Sequence, residues 1–238
     1  MRDRKGEYEA QALKKLKHFM KKYGHFYSED AREYIYDNFI TQLYDPTAAD
    51  ILMQIYATIG CETKKGTFYN AHLERINKMY GLDRNILEVA GGKIPAFANK
   101  VATLQQQTKK GTITVYDPDL IITKPDFKNL TLCKEDFSSQ HDIKSFDLVI
   151  GLLPCEATEA IITAACNAQK DFYVAMCGCS HFAYDPFFSS YPAYMYREYV
   201  IQLAETMLKE TDNGKLIIDY LPDEYDVEYP ILYNRKKW

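Results

Sequence analysis

The chain lacks the long apolar runs and targeting signals of membrane and secreted proteins. No apolar stretch of its 238 residues approaches the ~20 that a spanning helix needs. The opening MRDRKGEYEA lacks the apolar core of a signal peptide. The chain also lacks a large excess of positive or negative charge. It has 29 Lys+Arg and 33 Asp+Glu, which gives a net charge of −4. We therefore expect a cytoplasmic protein with no membrane partner and no whole-molecule attraction to nucleic acid.

Cysteine and glycine are both scarce, and several motifs built on them are missing. The six cysteines are expected to be reduced in the cytoplasm, and none forms a CxxC pair. No GK[ST] follows a glycine-rich turn, which excludes a Walker phosphate loop. With only 11 glycines in the chain, their positions matter more than their number.

The residue pattern changes near residue 84. Before it, apolar residues recur at helical spacing, which predicts helices over 7–23, 28–43, 45–59 and 67–80. After it, β-rich runs alternate with helical segments at 95–107, 156–168 and 191–210. The predicted strands are 85–90, 112–117, 130–134, 146–152, 171–177, 215–221 and 229–233, the last antiparallel. The expected fold is a doubly wound, mostly parallel seven-stranded α/β sheet over 85–238, with a helical cap over 1–84.

A small-residue turn follows the first predicted strand, in ILEVAGGKIPAF at 86–97. Gly91 and Gly92 let the backbone approach a ligand, and the first turn of the next helix offers free N–H donors. The same pattern is also found in ordinary tight strand–helix connections. On its own, the turn therefore leaves both interpretations open.

Acidic residues follow the next two predicted strands. Asp117 and Asp119 lie in ITVYDPDL, where an acid suits the two hydroxyls of a ribose. Asp136 and Phe137 end LTLCKEDF and suit the edge and face of an adenine ring. The alternative is that these acids cap the helices that follow.

Together these pieces resemble the class I S-adenosylmethionine-dependent methyltransferases. The resemblance covers about residues 80–222 and rests on the ordered set of motifs. The family's first motif is apolar-apolar-acidic-apolar-Gly-x-Gly-x-Gly, and it is matched here by Ile86, Leu87, Glu88, Val89 and Gly92. Ala90 replaces its first glycine and Ile94 its third, as happens in divergent members.

The resemblance implies S-adenosylmethionine as the cofactor. By position, Glu88 helps to orient the methionine end, Asp117 holds the ribose and Asp136 contacts the adenine. The residues that it predicts to contact the cofactor are Glu88, Ala90, Gly91, Gly92, Asp117, Pro118, Asp136, Phe137, Leu152 and Pro154. A nicotinamide-binding Rossmann protein is the nearest rival, but it keeps a cleaner G-x-G-x-x-G and reaches its acid nearer to 20 residues on.

Catalytic candidates follow the fourth and fifth strands, in GLLPCEATE and AMCGCSHF. Cys155 and Cys177 suit a thiolate nucleophile, as in pyrimidine C5 methyltransferases, although the Asp that precedes that Pro-Cys pair is missing. Zinc binding with Cys179 and His181 is a second interpretation, with spacing tighter than usual. Small buried thiols beside the cofactor are the third, and we expect this one, so no metal is predicted. His181 alone is a candidate general base.

Two further features complete the pattern. The first helix is lysine-rich, which predicts either a phosphate-binding surface or, more simply, a solvated helix face. The tyrosine-rich segment 182–199 suits a substrate lid or core packing. We expect methyl transfer to a small molecule more than to RNA. Transfer of the cofactor's aminocarboxypropyl arm, a non-catalytic binder and a nicotinamide oxidoreductase are the alternatives.

Overall fold

The computed structural model describes residues 67–93, 95–120, 125, 127–176, 193–221 and 230–235, with 13, 14, 16, 17, 20 and 21. Four α-helices have both ends in the described part of the chain: α1 (Thr67–Tyr80), α2 (Ala96–Thr108), α3 (Thr158–Asn167) and α4 (Ala193–Thr211). The strands are β1 (Asn85–Val89), β2 (Thr112–Tyr116), β3 (Leu130–Cys133), β4 (Leu148–Leu152), β5 (Asp171–Ala175), β6 (Lys215–Asp219) and β7 (Ile231–Arg235). Every predicted helix and strand after residue 67 is therefore present, with its ends within about two residues of the prediction.

The seven strands form one sheet in the order β3-β2-β1-β4-β5-β7-β6. β1 to β5 are parallel, and β7 runs antiparallel between β5 and β6. Parallel strands covered on both faces read as continuous apolar runs, and all five residues of β4 are buried. The predicted doubly wound, mostly parallel seven-stranded sheet is confirmed, including its antiparallel last strand.

Side chains alternate between two cores, one on each face of the sheet. Ile86 and Ile150 face a core that contains residues of α1 and α2, whereas Leu87 and Val149 face one built from α3 and α4. This alternation follows from the two-residue period of a strand. Because β1, β4 and β5 are adjacent and parallel, their carboxyl ends lie at the same edge of the sheet, with helices on both sides.

Part of the predicted first helix is also described. Residues 13, 14, 16, 17, 20 and 21 are helical, and Leu16 and Met20 join the core that contains α1 and α2. Lys14 and Lys17 are exposed, as expected of a solvated helix face. The helices predicted over 28–43 and 45–59 lie outside the described residues. Within the described ranges, no helix is both long and apolar enough to span a membrane.

Candidate functional site

The turn after β1 is fastened to the end of β2 by two hydrogen bonds. The Ala90 N–H donates to the carbonyl of Tyr116 at 2.8 Å, and the Gly92 N–H donates to Asp117 Oδ2 at 2.8 Å. Ala90 and Gly92 both have left-handed backbone angles, with φ of 59° and 80°. Gly92 adopts this conformation without strain, whereas the Cβ of Ala90 makes it costly. Ala90 thus keeps a conformation that favours glycine, and Ile94 lies outside the described residues.

Gly91 lies where a side chain would not fit. A Cβ on Gly91 would stand 2.6 Å from Val115 Cγ1 and 3.4 Å from Glu88 Cδ. Contacts as short as the first are not made by real Cβ atoms, so the turn packs against Val115 of β2 at a distance only glycine allows. The close approach that Gly91 allows here is to Val115 within the protein; its predicted approach to a ligand stays a prediction.

Glu88 is a buried carboxyl group at the centre of the sheet. Only 3% of the residue is exposed, and β1 pairs it with Val115 of β2 and Ile150 of β4. Desolvation, with the nearby Asp117 carboxylate, raises its pKa to about 8, although the backbone N–H of Ala98 in α2 opposes this rise. Its Oε2 atom has no hydrogen-bond partner among the described residues. A buried orphaned carboxyl oxygen is costly, and a cationic ligand group would satisfy it.

Asp117 joins the turn after β1 to the turn after β2. Its Oδ2 accepts from Gly92, and its Oδ1 accepts from the N–H of Asp119, both at 2.8 Å. The side chain is nearly buried, and desolvation raises its pKa against the lowering effect of those two hydrogen bonds. Each carboxylate oxygen has a further lone pair, so Asp117 can hold the turns and still accept from ligand hydroxyls. Pro118, which follows it, is exposed.

An aromatic cluster lies after β2 and β3. Phe137 stacks on His141 with ring centroids 5.1 Å apart and 22° between planes, and both rings meet Tyr116 edge-on. Asp136 is exposed beside the cluster. Phe137 was predicted from the sequence to contact the cofactor, whereas Tyr116 and His141 were not. An aromatic residue at the end of the second strand was the available signal for Tyr116.

The turn after β4 is strained and closely packed. Leu153 and Cys155 have φ of 57° and 52° on either side of Pro154. The Leu153 N–H donates to the carbonyl of Ala175 at 2.8 Å, which ties the end of β4 to the end of β5. Leu152 and Pro154 are buried at this edge. The predicted helix over 156–168 begins as α3 at Thr158, because a short 3₁₀ turn over Cys155–Ala157 precedes it.

Cys155 is half-buried in this turn. Its carbonyl accepts a 2.7 Å hydrogen bond from Thr158 Oγ1. Cys177, Cys179 and His181 lie outside the described residues, so the three interpretations of the thiols stay predictions. Within the described part of the chain, no group of three or more His, Cys, Asp or Glu side chains is placed to hold a metal ion.

The structure brings most of the predicted cofactor residues to one place. Glu88, Gly91, Gly92 and Asp117 contact one another directly or through Val115. Phe137, after β3, reaches this group through Tyr116. Leu152 ends β4, the strand next to β1, and Pro154 follows it in the turn. These residues lie at the carboxyl ends of adjacent strands, the edge where open α/β sheets bind ligands.

No protein-family model matches the chain, and no curated protein matches it. Among solved structures, it is similar to the CMeT domain of the citrinin polyketide synthase (12% identity, TM-score 0.47, covering 81% of this chain and 58% of that one). It is also similar to human N-acetylserotonin methyltransferase in complex with SAM (12%, 0.44, 80% and 58%). A third is the plantazolicin methyltransferase BpumL with a substrate analogue and SAH (13%, 0.44, 87% and 99%).

The chain spans 58% of the length of each of the first two structures. At 12–13% identity, the likeness to these proteins is one of fold. Many of the matched structures are S-adenosylmethionine-dependent methyltransferases, as the sequence resemblance implies. The seven-stranded sheet with its antiparallel β7 agrees with the fold that the sequence resemblance implies.

Proposed function

We propose that this protein transfers the methyl group of S-adenosylmethionine to a small-molecule acceptor. The observation that carries the proposal is the orphaned, buried Oε2 of Glu88 beside the glycine turn. The cofactor's methionine end carries an ammonium group, which is the chemistry that such an oxygen needs. The position is also the one where the family resemblance puts the methionine end.

The remaining residues fit the rest of the cofactor. Asp117 would accept from the ribose hydroxyls while it keeps its two backbone hydrogen bonds. Asp136 and Phe137 would meet the edge and face of the adenine, and Leu152 and Pro154 supply a buried apolar wall. When bound, the cofactor would supply an electrophilic methyl group, to which the acceptor bonds as the carbon–sulfur bond breaks and the thioether product leaves. The chain then needs mainly to align donor and acceptor.

The sheet itself favours this cofactor over a nicotinamide. The usual dinucleotide-binding order, 3-2-1-4-5-6, has no antiparallel strand between its fifth and sixth strands. Here β7 occupies that place. The acid Asp117 also lies 25 residues beyond Gly92, farther than the ~20 residues typical of nicotinamide-binding proteins. We propose that residues 85–238 bind the cofactor and that residues 1–84 form the cap that shapes the acceptor pocket.

Ligand-induced stabilisation tests the cofactor assignment. The protein is titrated with S-adenosylmethionine, S-adenosylhomocysteine and NADH, and unfolding is followed by differential scanning fluorimetry and binding by calorimetry. At 100 times its dissociation constant, a ligand stabilises the folded state by about 2.7 kcal/mol. We expect both sulfur compounds to raise the melting temperature and NADH to leave it unchanged. A protein that responds to none of the three does not have the proposed function.

Two substitutions test the residue assignments. Asp117→Ala should abolish the response to S-adenosylhomocysteine, and unchanged binding would rule out the ribose assignment. Because Asp117 also holds two turns, a second variant is needed. Asp136→Ala removes an exposed acid and should weaken binding about tenfold without lowering stability, an effect worth about 1.4 kcal/mol. Asp142→Ala, an exposed acid in the same β3–β4 connection, is the matched control and should bind normally.

A further inference from the structure

β6 is the outermost strand on one side of the sheet. Among the described strands it is next to β7 alone. Along an antiparallel strand, residues whose backbone groups bond to one neighbour alternate with residues whose groups point to the other side. The Met176 N–H donates to the carbonyl of Pro230 at 3.0 Å. The even-numbered residues of β7 therefore bond to β5, and its odd-numbered residues bond to β6.

This alternation leaves two residues of β6 with outward-pointing backbone groups. Lys215, Ile217 and Asp219 pair with the odd-numbered residues of β7. The N–H and C=O groups of Leu216 and Ile218 therefore point away from the sheet. Neither residue forms a backbone hydrogen bond to another described segment outside the sheet. Such an open edge is a ready template for another strand.

The surface beside this edge is apolar. Tyr199, Ile218 and Tyr220 are the large apolar residues that are exposed in the described part of the chain, at 42%, 40% and 52%. Two of them lie on β6 or directly after it. Single exposed apolar residues are common on monomeric proteins, but edge strands usually carry charge or proline instead. Apolar residues at an open edge therefore indicate an interaction surface.

A groove of about 700 Å³ lies between the end of α4 and the start of β6. Its lining includes the apolar Leu208 and Leu216, the charged Lys209 and Asp212, and Gly214 between the two elements. Gly214 has a φ of 94° and contributes no side chain. Apolar walls with charged groups at hand suit a tyrosine, which has a large flat ring and one hydroxyl.

The sequence of β6, KLIID, is self-complementary when two copies run antiparallel. With the two-fold axis at Ile217, Lys215 of one copy lies opposite Asp219 of the other, and Leu216 lies opposite Ile218. Leu216 and Ile218 are the residues with outward-pointing backbone groups, so each of these pairs exchanges both of its backbone hydrogen bonds. Moving the axis by one residue either way sets Lys215 opposite an apolar residue and loses the charge pairing.

The same register brings the exposed Tyr220 to the groove. Tyr220 of one copy lies opposite Gly214 of the other, because both are three residues from the axis. By the two-residue period of a strand, Tyr220 is on the same face as Leu216, which packs against the core that contains α4. One register thus accounts for the open edge, the exposed residues and the groove.

We propose that the β6 edge binds a second copy of this chain, antiparallel about Ile217, and joins the two sheets into one. Asp219 also pairs with Arg75, but 45% of its side chain is exposed, so Lys215 of the second copy can reach it. The proposal does not depend on methyl transfer. β6 is parallel to β5, since both are antiparallel to β7. The two-fold axis therefore places the carboxyl ends of the parallel strands of the two copies at opposite edges of the joined sheet.

Sedimentation equilibrium of the full chain over micromolar to millimolar concentrations tests the dimer. We expect the mass to rise towards twice the monomer value of 27.6 kDa. Lys215→Glu sets like charges opposite each other at both ends of the strand pair, and should raise the dimer dissociation constant roughly tenfold or more. Lys110→Glu makes the same change at an exposed lysine before β2. This matched control should leave the dissociation constant unchanged.

Tyr220→Ala tests the groove. It removes the ring that fills the groove of the second copy, so the dissociation constant should rise roughly tenfold or more, as for a central aromatic contact. Tyr199→Ala is its matched control, since Tyr199 is also exposed but hydrogen-bonds to Glu159 of α3, away from β6. That variant should dimerise like the unaltered protein.

Ile217→Cys tests the register. In this register the two copies of residue 217 form a non-hydrogen-bonded pair, with Cα atoms about 4.5 Å apart, which is within the range of a disulfide. Under mild oxidation, Ile217→Cys should give a covalent dimer on a non-reducing gel. Ile218→Cys should not, because residue 218 faces residue 216 of the other copy. The unaltered protein, with its own six cysteines, gives the background.

The outcomes are separable from those of the proposed function. An unaltered protein that stays monomeric at every concentration contradicts the dimer. A dimer that is equally stable in Lys215→Glu and Tyr220→Ala, or that cross-links through residue 218 instead of 217, uses another surface or register, and the proposal is then wrong. S-adenosylhomocysteine affinity should be the same in Lys215→Glu as in the unaltered protein, so failure of the dimer leaves the cofactor assignment unaffected.

Discussion

Replacing Glu88 by glutamine changes how the stability of the protein depends on pH. Burial and the neighbouring Asp117 raise the pKa of Glu88 from 4.5 to about 8. Between these values the folded protein keeps a proton that the unfolded chain releases, so the folded state binds more protons and stability falls as pH rises. Glutamine has nearly the same shape and cannot titrate. The variant should therefore lose this part of the pH dependence.

The size of the effect follows from the shift in pKa. Each pH unit between the two pKa values costs about 1.4 kcal/mol, so the unaltered protein loses up to about 3 kcal/mol between pH 4.5 and pH 7. Urea unfolding of both proteins at pH 5, 6, 7 and 8 measures the difference in their free energies of unfolding. That difference should grow with pH in favour of Glu88→Gln and level off above pH 8. Other titrating groups cancel because they are common to both proteins.

Cofactor binding should reverse the protonation of Glu88. An ammonium placed beside Oε2 favours the ionised carboxyl group, so its proton leaves as the ligand binds. At pH 7, S-adenosylhomocysteine should release roughly 0.8 proton, since Glu88 starts mostly protonated and the ligand's amino group is mostly charged already. Calorimetry in buffers with different ionisation enthalpies measures this number. Methylthioadenosine, which lacks the amino acid end, is the matched ligand and should release none.

Two results would refute this reasoning about Glu88. A difference in unfolding free energy that stays constant from pH 5 to pH 8 would show that Glu88 is ionised in the folded protein. Equal proton release by S-adenosylhomocysteine and methylthioadenosine would show that the methionine end lies elsewhere. In Glu88→Gln, proton release should vanish and S-adenosylhomocysteine affinity should fall, which ties both observations to one carboxyl group.

Three further substitutions test the turn and the sheet, each by urea unfolding. Ala90→Gly should raise the free energy of unfolding by about 0.5–1 kcal/mol, because relief of the left-handed φ outweighs the added entropy of the unfolded chain. The control is Ala102→Gly in α2, which should lower the free energy of unfolding by about 1 kcal/mol. Gly91→Ala should lower both stability and S-adenosylhomocysteine affinity, and Val115→Ala should restore part of each because the clash is with Val115 Cγ1. Asn234→Ala should lower the free energy of unfolding by about 2–4 kcal/mol, because the buried Asn234 amide joins β7 to the backbone of β5 and of the α4–β6 turn. A loss below 0.5 kcal/mol would contradict this prediction.

The sheet could be predicted because its strands carry their own signals. The run FDLVIGLL at 146–153 is apolar throughout, and the strand that it forms is buried on both faces. Its start was predicted two residues early. Phe146 instead closes a turn onto the carbonyl of Ile143, and the Asp147 N–H donates to the carbonyl of Asn85. Those contacts depend on the neighbouring strand, which a local pattern does not contain.

The placement of the predicted cofactor residues was also partly predictable, because they follow strand ends in a fixed order. Glu88 and Asp117 come from single short motifs, and the fold only has to align two adjacent strands to bring them together. The His72–Tyr173 contact has no such signal. Its partners are 101 residues apart, and each alone has the appearance of an ordinary core residue. Only the packing of α1 over β5 shows that they are hydrogen-bonded partners.

Backbone strain gives an independent reason to assign function to this edge of the sheet. Six non-glycine residues in the described part of the chain have left-handed φ values. Three of them, Lys109, Gln169 and Asp212, follow the ends of α2, α3 and α4, where this conformation commonly closes a helix. The other three, Ala90, Leu153 and Cys155, follow β1 and β4.

Strain after β1 and β4 closes no helix, so it needs another explanation. Each residue costs on the order of 1 kcal/mol, a large amount beside a net stability of about 5–15 kcal/mol. β1 and β4 are adjacent at the centre of the sheet, and no such residue follows β2, β3 or β6 among the residues that the structure describes. Strain of this kind persists where the surrounding structure enforces it, and in many proteins it coincides with a binding site. Because helix closure cannot account for it here, the strain favours the carboxyl ends of β1 and β4 as the place where the protein meets its ligand.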